Sequence, residues 1–262
     1  LGNADIFTTY RQICAQVARE FNLIACFMSK PFMGVSANGC HTNVSLWKGG
    51  ELKSTPIGNN PLPGMNQVFT HISGGENMFM PDPKIDAVKP GPVGLNSIAG
   101  LLKHLPALTC LGSPTVNSYR RLWDTGFWAP VYADWGYQNR TCSVRVSAPG
   151  RVEYRSVDSS HNPYLMGAGI LKAFEDGLDN KMDPGEPEKK NIYDAMKEGK
   201  EVDKLPLTLG EAIQRLDADD TIKAALPEDM LRVFMHYKND EWEKFLSAVT
   251  QWDEDTYLDV LP

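Results

Sequence analysis

The chain has 262 residues, of which 42% are hydrophobic, and a formal net charge of −7 at neutral pH. This length can bury a full hydrophobic core, and it is long for one average domain but short for two large ones, so we expect one large domain with appendages. The acidic residues are spread along the chain and no basic stripe interrupts them. Nucleic acid is therefore excluded as an expected partner, because its phosphates are bound by clustered basic side chains.

The cysteines and the apolar segments further limit the classes of protein to which the chain can belong. The cysteine count is odd and no CxxC pair occurs, which argues against a disulfide framework and a structural zinc site. We interpret all five as small buried hydrophobic residues: Cys14, Cys26, Cys40, Cys110 and Cys142. No signal-peptide pattern and no apolar stretch long enough to cross a bilayer is present. We therefore expect a cytoplasmic protein without a membrane partner.

In chain order, the first half of the sequence predicts one helix, two strands and a long irregular region. Apolar residues recur every three or four positions over residues 4–21, which is typical of an amphipathic helix. Residues 24–28 form an apolar run that predicts a buried strand. Residues 41–47 alternate as a half-polar strand does, with His41 on its polar face. Residues 49–94 are rich in Gly, Pro and Asn, which predicts long loops.

The second half predicts helices around a β-hairpin. Residues 95–105 have helical spacing that Pro106 should disturb, and a loop is expected after it. Residues 141–146 and 151–155 read as two strands joined by a turn at Pro149-Gly150. The remaining predictions are a buried helix over 162–178, an exposed loop over 181–204, and helices over 209–216, 227–237 and 240–257.

Charged residues occupy one face of the second hairpin strand. Arg151, Glu153 and Arg155 alternate with Val152 and Tyr154. An unpaired buried charge is strongly unfavourable, so these side chains must face water, each other or a charged ligand. A solvated sheet face with ion pairs is one interpretation. A binding site for an anion is the other.

The arginines of this region favour the binding site. Their span is short and contains Arg121, Arg140, Arg145, Arg151 and Arg155. Several guanidinium groups directed at one place suit phosphate or carboxylate recognition. Glu153 and His41 together could hold Mg²⁺ or Mn²⁺ against phosphate oxygens, although a lone histidine is more often an ordinary hydrogen-bonded one. The pattern predicts an ATP site.

Several motifs resemble those of glutamine synthetases. Residues 39–47, Gly-Cys-His-Thr-Asn-Val-Ser-Leu-Trp, are similar to the Gly-x-His-x-x-x-Ser-Leu-Trp strand of that family. Residues 114–122, 139–145, 151–155 and 162–165 follow in the family's order. The resemblance runs from Ala4 to about Pro184, and the C-terminal helices look like those of the branch that includes glutamate-methylamine ligases.

The resemblance implies an α+β fold, in which a curved and mainly antiparallel sheet has helices packed on one side. Residues 1–262 would form the C-terminal part of the catalytic domain. The family's small N-terminal β-grasp domain and its upstream metal-binding glutamates have no counterpart in the sequence, and we interpret the chain as a fragment of a longer protein. The resemblance also implies a homo-oligomer of two stacked rings, a dodecamer.

The family's residue roles carry over position by position. The resemblance implies that His41 and Glu153 bind the divalent metal. Phosphate oxygens of ATP would be held by Arg140, which we also place among the catalytic residues, and by Arg145 and Arg151. The nucleotide pocket would be lined by Asn43, Val44 and Ser45. Glutamate would be held by Arg121 and Arg155, with backbone contacts from Ser36 and Ala37.

The implied reaction joins the side-chain carboxylate of glutamate to an amine, through phosphorylation of the carboxylate by ATP. The family's Gly-Tyr-Glu-Ala-Pro flap is Gly-Phe-Trp-Ala-Pro here, so that Trp128 replaces the glutamate that serves ammonium. An indole cannot take up a proton, but it can contact an alkyl group or a cation. We therefore predict methylamine or another small alkylamine as the acceptor. The alternatives are ammonia, or a non-catalytic structural relative.

Overall fold

The computed structural model describes residues 1–56, 67–80, 89–123 and 129–260. Its fold is α+β, as predicted. The helices are α1 (Gly2–Glu20), α2 (Pro92–Gly112), α3 (Val116–Trp123), α4 (Pro163–Asp179), α5 (Ile192–Lys197), α6 (Leu209–Asp217), α7 (Asp220–Lys223), α8 (Glu228–Ser247) and α9 (Gln251–Tyr257). The strands are β1 (Thr42–Val44), β2 (Trp47–Lys48), β3 (Glu51–Pro56), β4 (Gln67–Ser73), β5 (Glu76–Asn77), β6 (Trp135–Tyr137), β7 (Val144–Ala148) and β8 (Arg151–Tyr154).

The central sheet has four strands in the order β1-β8-β7-β6. The β1–β8 and β8–β7 pairs are antiparallel, whereas β6 and β7 run parallel. In this register Glu153 is opposite Asn43 on one side and Arg145 on the other. The remaining strands form two-stranded sheets, β2–β5 and β3–β4. The register therefore brings together residues more than a hundred positions apart in the chain.

The predicted hairpin at Pro149-Gly150 is confirmed as β7 and β8. Gly150 has a φ of +77°, a conformation that favours glycine. A Cβ at this position would lie 2.6 Å from Asn77 Nδ2, whose amide donates to the Gly150 carbonyl at 2.8 Å. Both backbone conformation and space therefore require glycine in this turn.

The hydrophobic core lies between the helices and one face of the central sheet. Helix α2 contacts β7 and β8 and packs against α4 and α6. The core residues come from both the helices and the sheet: Leu101, Leu105 and Leu108 of α2, Val144, Val152 and Tyr154 of the sheet, Ile170 and Phe174 of α4, and Leu209 and Leu216 of α6. The opposite face of the sheet is consequently left to the polar residues that alternate with these.

Two predictions for the first half of the chain are wrong. Residues 24–28 do not form a strand. The carbonyls of Phe27 and Met28 accept from the side chains of Ser159 and Asn38 instead of from a neighbouring strand. The region 49–94, predicted as long loops, contains the β3–β4 hairpin. The register of this hairpin shifts between Lys53 and Ser54, and such an irregular strand lacks the regular alternation by which a strand is recognised in a sequence.

Helix α2 extends beyond its predicted end, and α3 was not predicted. Pro106 lies inside α2, where proline costs roughly 3 kcal/mol. The neighbouring Leu105 and Leu108 are fully buried, and each contributes about 1.5–3 kcal/mol of burial. Helix α3 begins with a reciprocal cap, since Thr115 N donates to Ser118 Oγ and Ser118 N donates to Thr115 Oγ1, both at 3.1 Å.

The C-terminal half follows the predictions with two differences. Helix α4 is confirmed, and Asn162 caps it by accepting from the backbone N–H groups of Tyr164 and Leu165. The region 181–204 contains helix α5, whose Ile192 is fully buried. The last two predicted helices, 227–237 and 240–257, have no break between them, and α8 continues to Ser247. The break comes later, where Thr250 and Asp253 form a capping box for α9.

The cysteine prediction holds for two of the five residues. Cys110 and Cys142 are buried, Cys14 and Cys40 are half-buried, and Cys26 is exposed. All five are free thiols. Within the part of the chain that the structure describes, no helix is long and apolar enough to span a membrane.

A buried histidine links three helices. Nδ1 of His104 lies 2.6 Å from Asp219 Oδ2, and its Nε2 lies 2.8 Å from Asp176 Oδ2. A neutral imidazole would direct a lone pair at one of these carboxylates, so the arrangement favours the imidazolium. Burial opposes the charge, but the two hydrogen bonds outweigh it and raise the pKa of His104. The pKa of Asp176, which Lys103 also contacts at 2.7 Å, is lowered.

This triad predicts the pH dependence of stability. A raised histidine pKa stabilises the fold below the unfolded value of about 6.5, and that stabilisation is lost as pH rises through the folded pKa. Between about pH 6 and pH 9 the free energy of unfolding should therefore fall by roughly 1–3 kcal/mol more than in a His104→Gln variant. Urea denaturation at both pH values measures this. Equal pH dependence in the two proteins would contradict a charged His104.

Candidate active site

A network of charged side chains lies on the polar face of the central sheet, with Glu153 at its centre. One carboxylate oxygen, Oε1, lies 3.2 Å from His41 Nδ1. The other, Oε2, lies 2.5 Å from Arg145 Nε and 3.5 Å from Arg155 Nη1. The pairing of β8 with β1 and β7 explains this convergence, because it sets residues of all three strands side by side. The sequence analysis left these charges facing water, each other or a ligand. In the structure Glu153 and Arg155 face each other, while Arg151 is exposed to water.

Burial makes the network energetically significant. Glu153 is 5% exposed and Arg155 is 4% exposed. Breaking a buried ion pair by removing one partner costs about 3–5 kcal/mol, because it leaves the other charge uncompensated. Two arginines surround one carboxylate here, so the network carries an excess of positive charge. A site of this kind is suited to an additional anion.

His41 is suited to be a metal ligand. Burial, reinforced by the guanidinium of Arg155, lowers the pKa of His41 to about 4, so its ring is neutral at pH 7 and retains a lone pair. Its Nδ1 and Glu153 Oε1 are 3.2 Å apart, close to the roughly 3 Å that separates neighbouring ligands of an octahedral ion with bonds of about 2.1 Å. The pair therefore fits a hard divalent cation. Within the described ranges no third His, Cys, Asp or Glu joins it.

Arg121 reaches the site from helix α3. It is 4% exposed, and its Nη2 donates to the carbonyl of Arg155 at 3.2 Å. A Cβ added to Gly39 would lie 3.3 Å from the same Nη2 and 3.1 Å from His41 Nε2. Gly39 thus lies between Arg121 and His41, where a larger residue would press against both. Burial lowers the pKa of Arg121.

The loop that carries Ser36 and Ala37 is held against α3. Asn117, one turn before Arg121, accepts from the backbone N–H of Lys30 at 2.8 Å and donates to its carbonyl at 2.9 Å. The Lys30 ammonium in turn donates to the Val35 carbonyl. Ser36 is exposed and Ala37 is half-buried. The loop and the Arg121 helix are therefore one connected unit.

Arg140 and Arg151 lie at the edge of the network. Both side chains are exposed. The Arg140 carbonyl accepts from Arg155 Nη2 at 2.9 Å, and Arg151 Nε donates to Ser147 Oγ at 3.3 Å. The turn before Arg140 is fixed by Asn139, whose amide donates to the carbonyls of Glu188 and Lys190. Neither guanidinium contacts Glu153, so both are free to meet a ligand from the solvent side.

The three residues predicted to line the nucleotide pocket do not share one face. Asn43 is exposed, next to Glu153 across the strand pair. Ser45 is half-buried, and its Oγ accepts from Trp47 Nε1 at 2.9 Å. Val44 packs against the hydrophobic core. Its side chain is therefore on the opposite face from His41. The predicted catalytic residue Trp128 lies outside the described residues.

Three positioning residues were missed from the sequence. Lys30 and Asn117 join the loop to α3, and Asp158 pairs with Gly39 through an isolated β-bridge. A lysine before a proline and a lone asparagine give no signal by themselves. The reciprocal Thr115/Ser118 cap, however, was readable as a helix start. Recognising α3 would have placed Asn117 and Arg121 on one helical face.

This arrangement, an α+β domain with an arginine-rich carboxylate site on a mainly antiparallel sheet, defines a domain suited to bind an anion. A family model described as glutamine synthetase, catalytic domain, matches residues 1–82 and 66–257. The chain is 36% identical to the glutamine synthetase of Pyrococcus furiosus over 98% of its length, and 33% identical to that of Rhizobium leguminosarum bv. phaseoli over 99%. The chain belongs to the glutamine synthetase family.

Solved structures with the same fold include two of GmaS. The chain matches GmaS, a γ-glutamylmethylamide synthetase, in its apo form without ligand with a TM-score of 0.80, and a GmaS/ADP complex with a TM-score of 0.82. Both are 32% identical to it, and the matches cover 98% of this chain and 53% and 54% of theirs. The chain likewise spans 56% and 55% of the two glutamine synthetases named above.

Proposed function

We propose that the chain supplies the phosphate- and glutamate-binding half of an ATP-dependent ligase, which joins the side-chain carboxylate of glutamate to an amine. The network of Glu153, His41, Arg145 and Arg155, in which Glu153 and Arg155 are buried, carries this proposal. A carboxylate has no adequate leaving group, so transfer of the terminal phosphoryl group of ATP to it would create one. The amine then displaces phosphate from the γ-glutamyl phosphate. Family membership and the ADP complex of the similar GmaS support the nucleotide as co-substrate.

The charged residues would divide between phosphate, metal and substrate. His41 and Glu153 would hold Mg²⁺ or Mn²⁺, which when bound neutralises phosphate charge. Arg140 and Arg145 would hold phosphate oxygens of the transferring group, and Arg151 those of ATP at the exposed edge, beside Asn43 and Ser45. Val44 could contribute backbone contacts only.

Glutamate would bind on the side of the network that faces α3. Arg121 and Arg155 would contact its carboxylates, because each has an unsatisfied buried nitrogen, Nη1 and Nε respectively, within the described part of the chain. The loop at Ser36 and Ala37, fastened to the same helix, would add backbone contacts. A substrate held by guanidinium groups on rigid elements is oriented for attack on the phosphoryl group.

The acceptor amine in this proposal is methylamine or another small alkylamine, with ammonia as the alternative. Trp128 in the flap supports an alkyl group over ammonium, because an indole offers an apolar surface and no proton acceptor. The GmaS structures favour the same acceptor, while relatives named glutamine synthetase favour ammonia.

Turnover with methylamine and with ammonium at matched concentrations tests the acceptor. We expect kcat/KM to be at least about tenfold higher for methylamine, and a Trp128→Glu variant to shift the ratio toward ammonium. A clear preference of the unaltered protein for ammonium would overturn the proposed acceptor while leaving the ligase intact.

A non-catalytic relative is the second candidate, favoured by the two-residue metal set in the described residues. The assembly we propose, a homo-oligomer of two stacked rings in the cytoplasm, would suit either candidate. The two are separated by phosphate release from ATP. It should require both glutamate and an amine if the protein is a ligase, whereas a structural relative would release none.

A further inference from the structure

Arg121 is buried, and no carboxylate of the described residues contacts it. The residue is 4% exposed, and its Nη2 donates to a carbonyl, that of Arg155. Its Nη1 is buried and has no hydrogen-bond partner among the residues that the structure describes. A guanidinium removed from water is unfavourable unless a negative charge lies near it. Within the described residues, the counter-charge for Arg121 is therefore a group that does not touch it, or it comes from a ligand.

Asp158 is a buried carboxylate that also lacks a partner for one of its atoms among the described residues. It is fully buried, and its Oδ1 accepts from the backbone N–H and the hydroxyl of Ser160. Its Oδ2 is buried and has no hydrogen-bond partner in the described part of the chain. Burial lowers the pKa of Arg121, and the charge of Asp158 opposes that shift more than any other group. In a low-dielectric interior such attraction acts well beyond contact distance.

The backbone connects the two residues physically. Asp158 pairs with Gly39 in an isolated antiparallel bridge, and its own N–H donates to the Gly112 carbonyl at 2.9 Å. Gly39 in turn lies against the Arg121 guanidinium, since a Cβ there would be 3.3 Å from Nη2. Asp158 is therefore joined through Gly39 to the backbone that lies against the Arg121 guanidinium.

We propose that Asp158 is a positioning residue, the buried counter-charge that holds the Arg121 guanidinium where it can bind a substrate carboxylate. The inference rests on the proposed function, in which that carboxylate belongs to glutamate. Asp158 does not touch the substrate and acts through Arg121. Without its charge no carboxylate of the described residues compensates Arg121, and its guanidinium is free to turn toward Glu153 or the solvent.

The test replaces Asp158 by asparagine, which keeps an oxygen to accept from Ser160 but removes the charge. We expect the KM for glutamate to rise about tenfold, with kcat falling less than about threefold and the KM for ATP within about twofold. Asp219→Asn is the matched control, because Asp219 also accepts from a backbone N–H, that of Ile222, but lies at the His104 triad. An unchanged KM for glutamate, or equal rises for both substrates, would overturn the proposal.

A double-mutant cycle with Arg121→Lys separates positioning from a general structural effect. If Asp158 acts through Arg121, the two effects on the KM for glutamate are not additive, whereas independent effects would multiply and overturn the proposal. Should Asp158→Asn not fold, Ser160→Ala loosens the carboxylate without removing it. That variant should raise the KM for glutamate about twofold to fivefold, and no change would overturn the proposal.

Failure of the proposed function is distinguishable from failure of this inference. If the unaltered protein released no phosphate in the presence of glutamate and an amine, the ligase would be disproved. Calorimetric titration with glutamate would then decide the role of Asp158. About tenfold weaker binding in Asp158→Asn supports it, while equal binding in both proteins, or no binding to the unaltered protein, overturns it.

Discussion

Replacement of Glu153 by glutamine is expected to lower the rate of amine- and glutamate-dependent phosphate release by about 10²–10³-fold. Glutamine keeps the size of the side chain but loses the negative charge between Arg145 and Arg155, and its amide has one acceptor oxygen where the carboxylate has two, one at His41 and one at the arginines. Removing one preorganised charged or donor group from an active site costs about 10²–10³-fold in kcat, or about 3–4 kcal/mol in the barrier. Steady-state kinetics at saturating substrate measures the loss.

Glu188→Gln provides the matched control for that substitution. Glu188 is also buried, at 9% exposure, and its Oε2 pairs with Lys200 at 2.6 Å. Its side chain contacts none of the arginines around Glu153, so activity should change less than about threefold even if stability falls. Activity of Glu153→Gln close to that of this control would contradict the placement of the active site on β1, β7 and β8.

Replacement of Gly100 by alanine is expected to destabilise the fold strongly. A Cβ at Gly100 would lie 2.0 Å from the Ala173 carbonyl oxygen and 3.0 Å from the Gly177 N of α4. Backbone atoms cannot move aside as a flexible side chain can, so helices α2 and α4 would have to separate. We expect a loss of at least about 3 kcal/mol and a fall in Tm of roughly 6–12 °C, measured by circular dichroism.

Gly167→Ala tests whether this effect is due to the helix crossing. Gly167 lies in α4, and a Cβ there would meet nothing within 4 Å. Alanine is favoured over glycine inside helices by about 0.5–1 kcal/mol, so Tm should rise slightly. Similar behaviour of the two variants would show that the α2–α4 crossing is wider than the structure indicates.

Local signals in the sequence were sufficient where an element carries its own caps and pattern. Helix α4 was predicted from Asn162, Pro163 and a buried apolar face, and the hairpin from Pro149-Gly150. Prediction failed where tertiary contacts override local preference. Burial of its leucines keeps α2 helical through Pro106. In the segment 24–28, the carbonyls of Phe27 and Met28 accept hydrogen bonds from side chains outside the segment.

The site was predicted in parts that the sequence could not assemble. The alternation in β8 placed Glu153 and Arg155 on one face, ligand chemistry paired His41 with Glu153, and the family resemblance implied the same metal pair. That His41 lies within 3.2 Å of Glu153 follows from the pairing of β1 with β8, which periodicity alone does not determine. Asp158 was missed because the role proposed for it is electrostatic, and its burial and its Oδ2 without a partner among the described residues are visible only in the structure.

Oxygen transfer from glutamate to phosphate tests the central claim most directly. Glutamate labelled with ¹⁸O in its side-chain carboxylate would be incubated with ATP, Mg²⁺ and methylamine, and the released phosphate analysed by mass spectrometry. A γ-glutamyl phosphate intermediate predicts one labelled oxygen in each phosphate, because the amine displaces phosphate together with the carboxylate oxygen that attacked ATP. Release of unlabelled phosphate, by hydrolysis of ATP without attack by the carboxylate, would contradict the ligase mechanism.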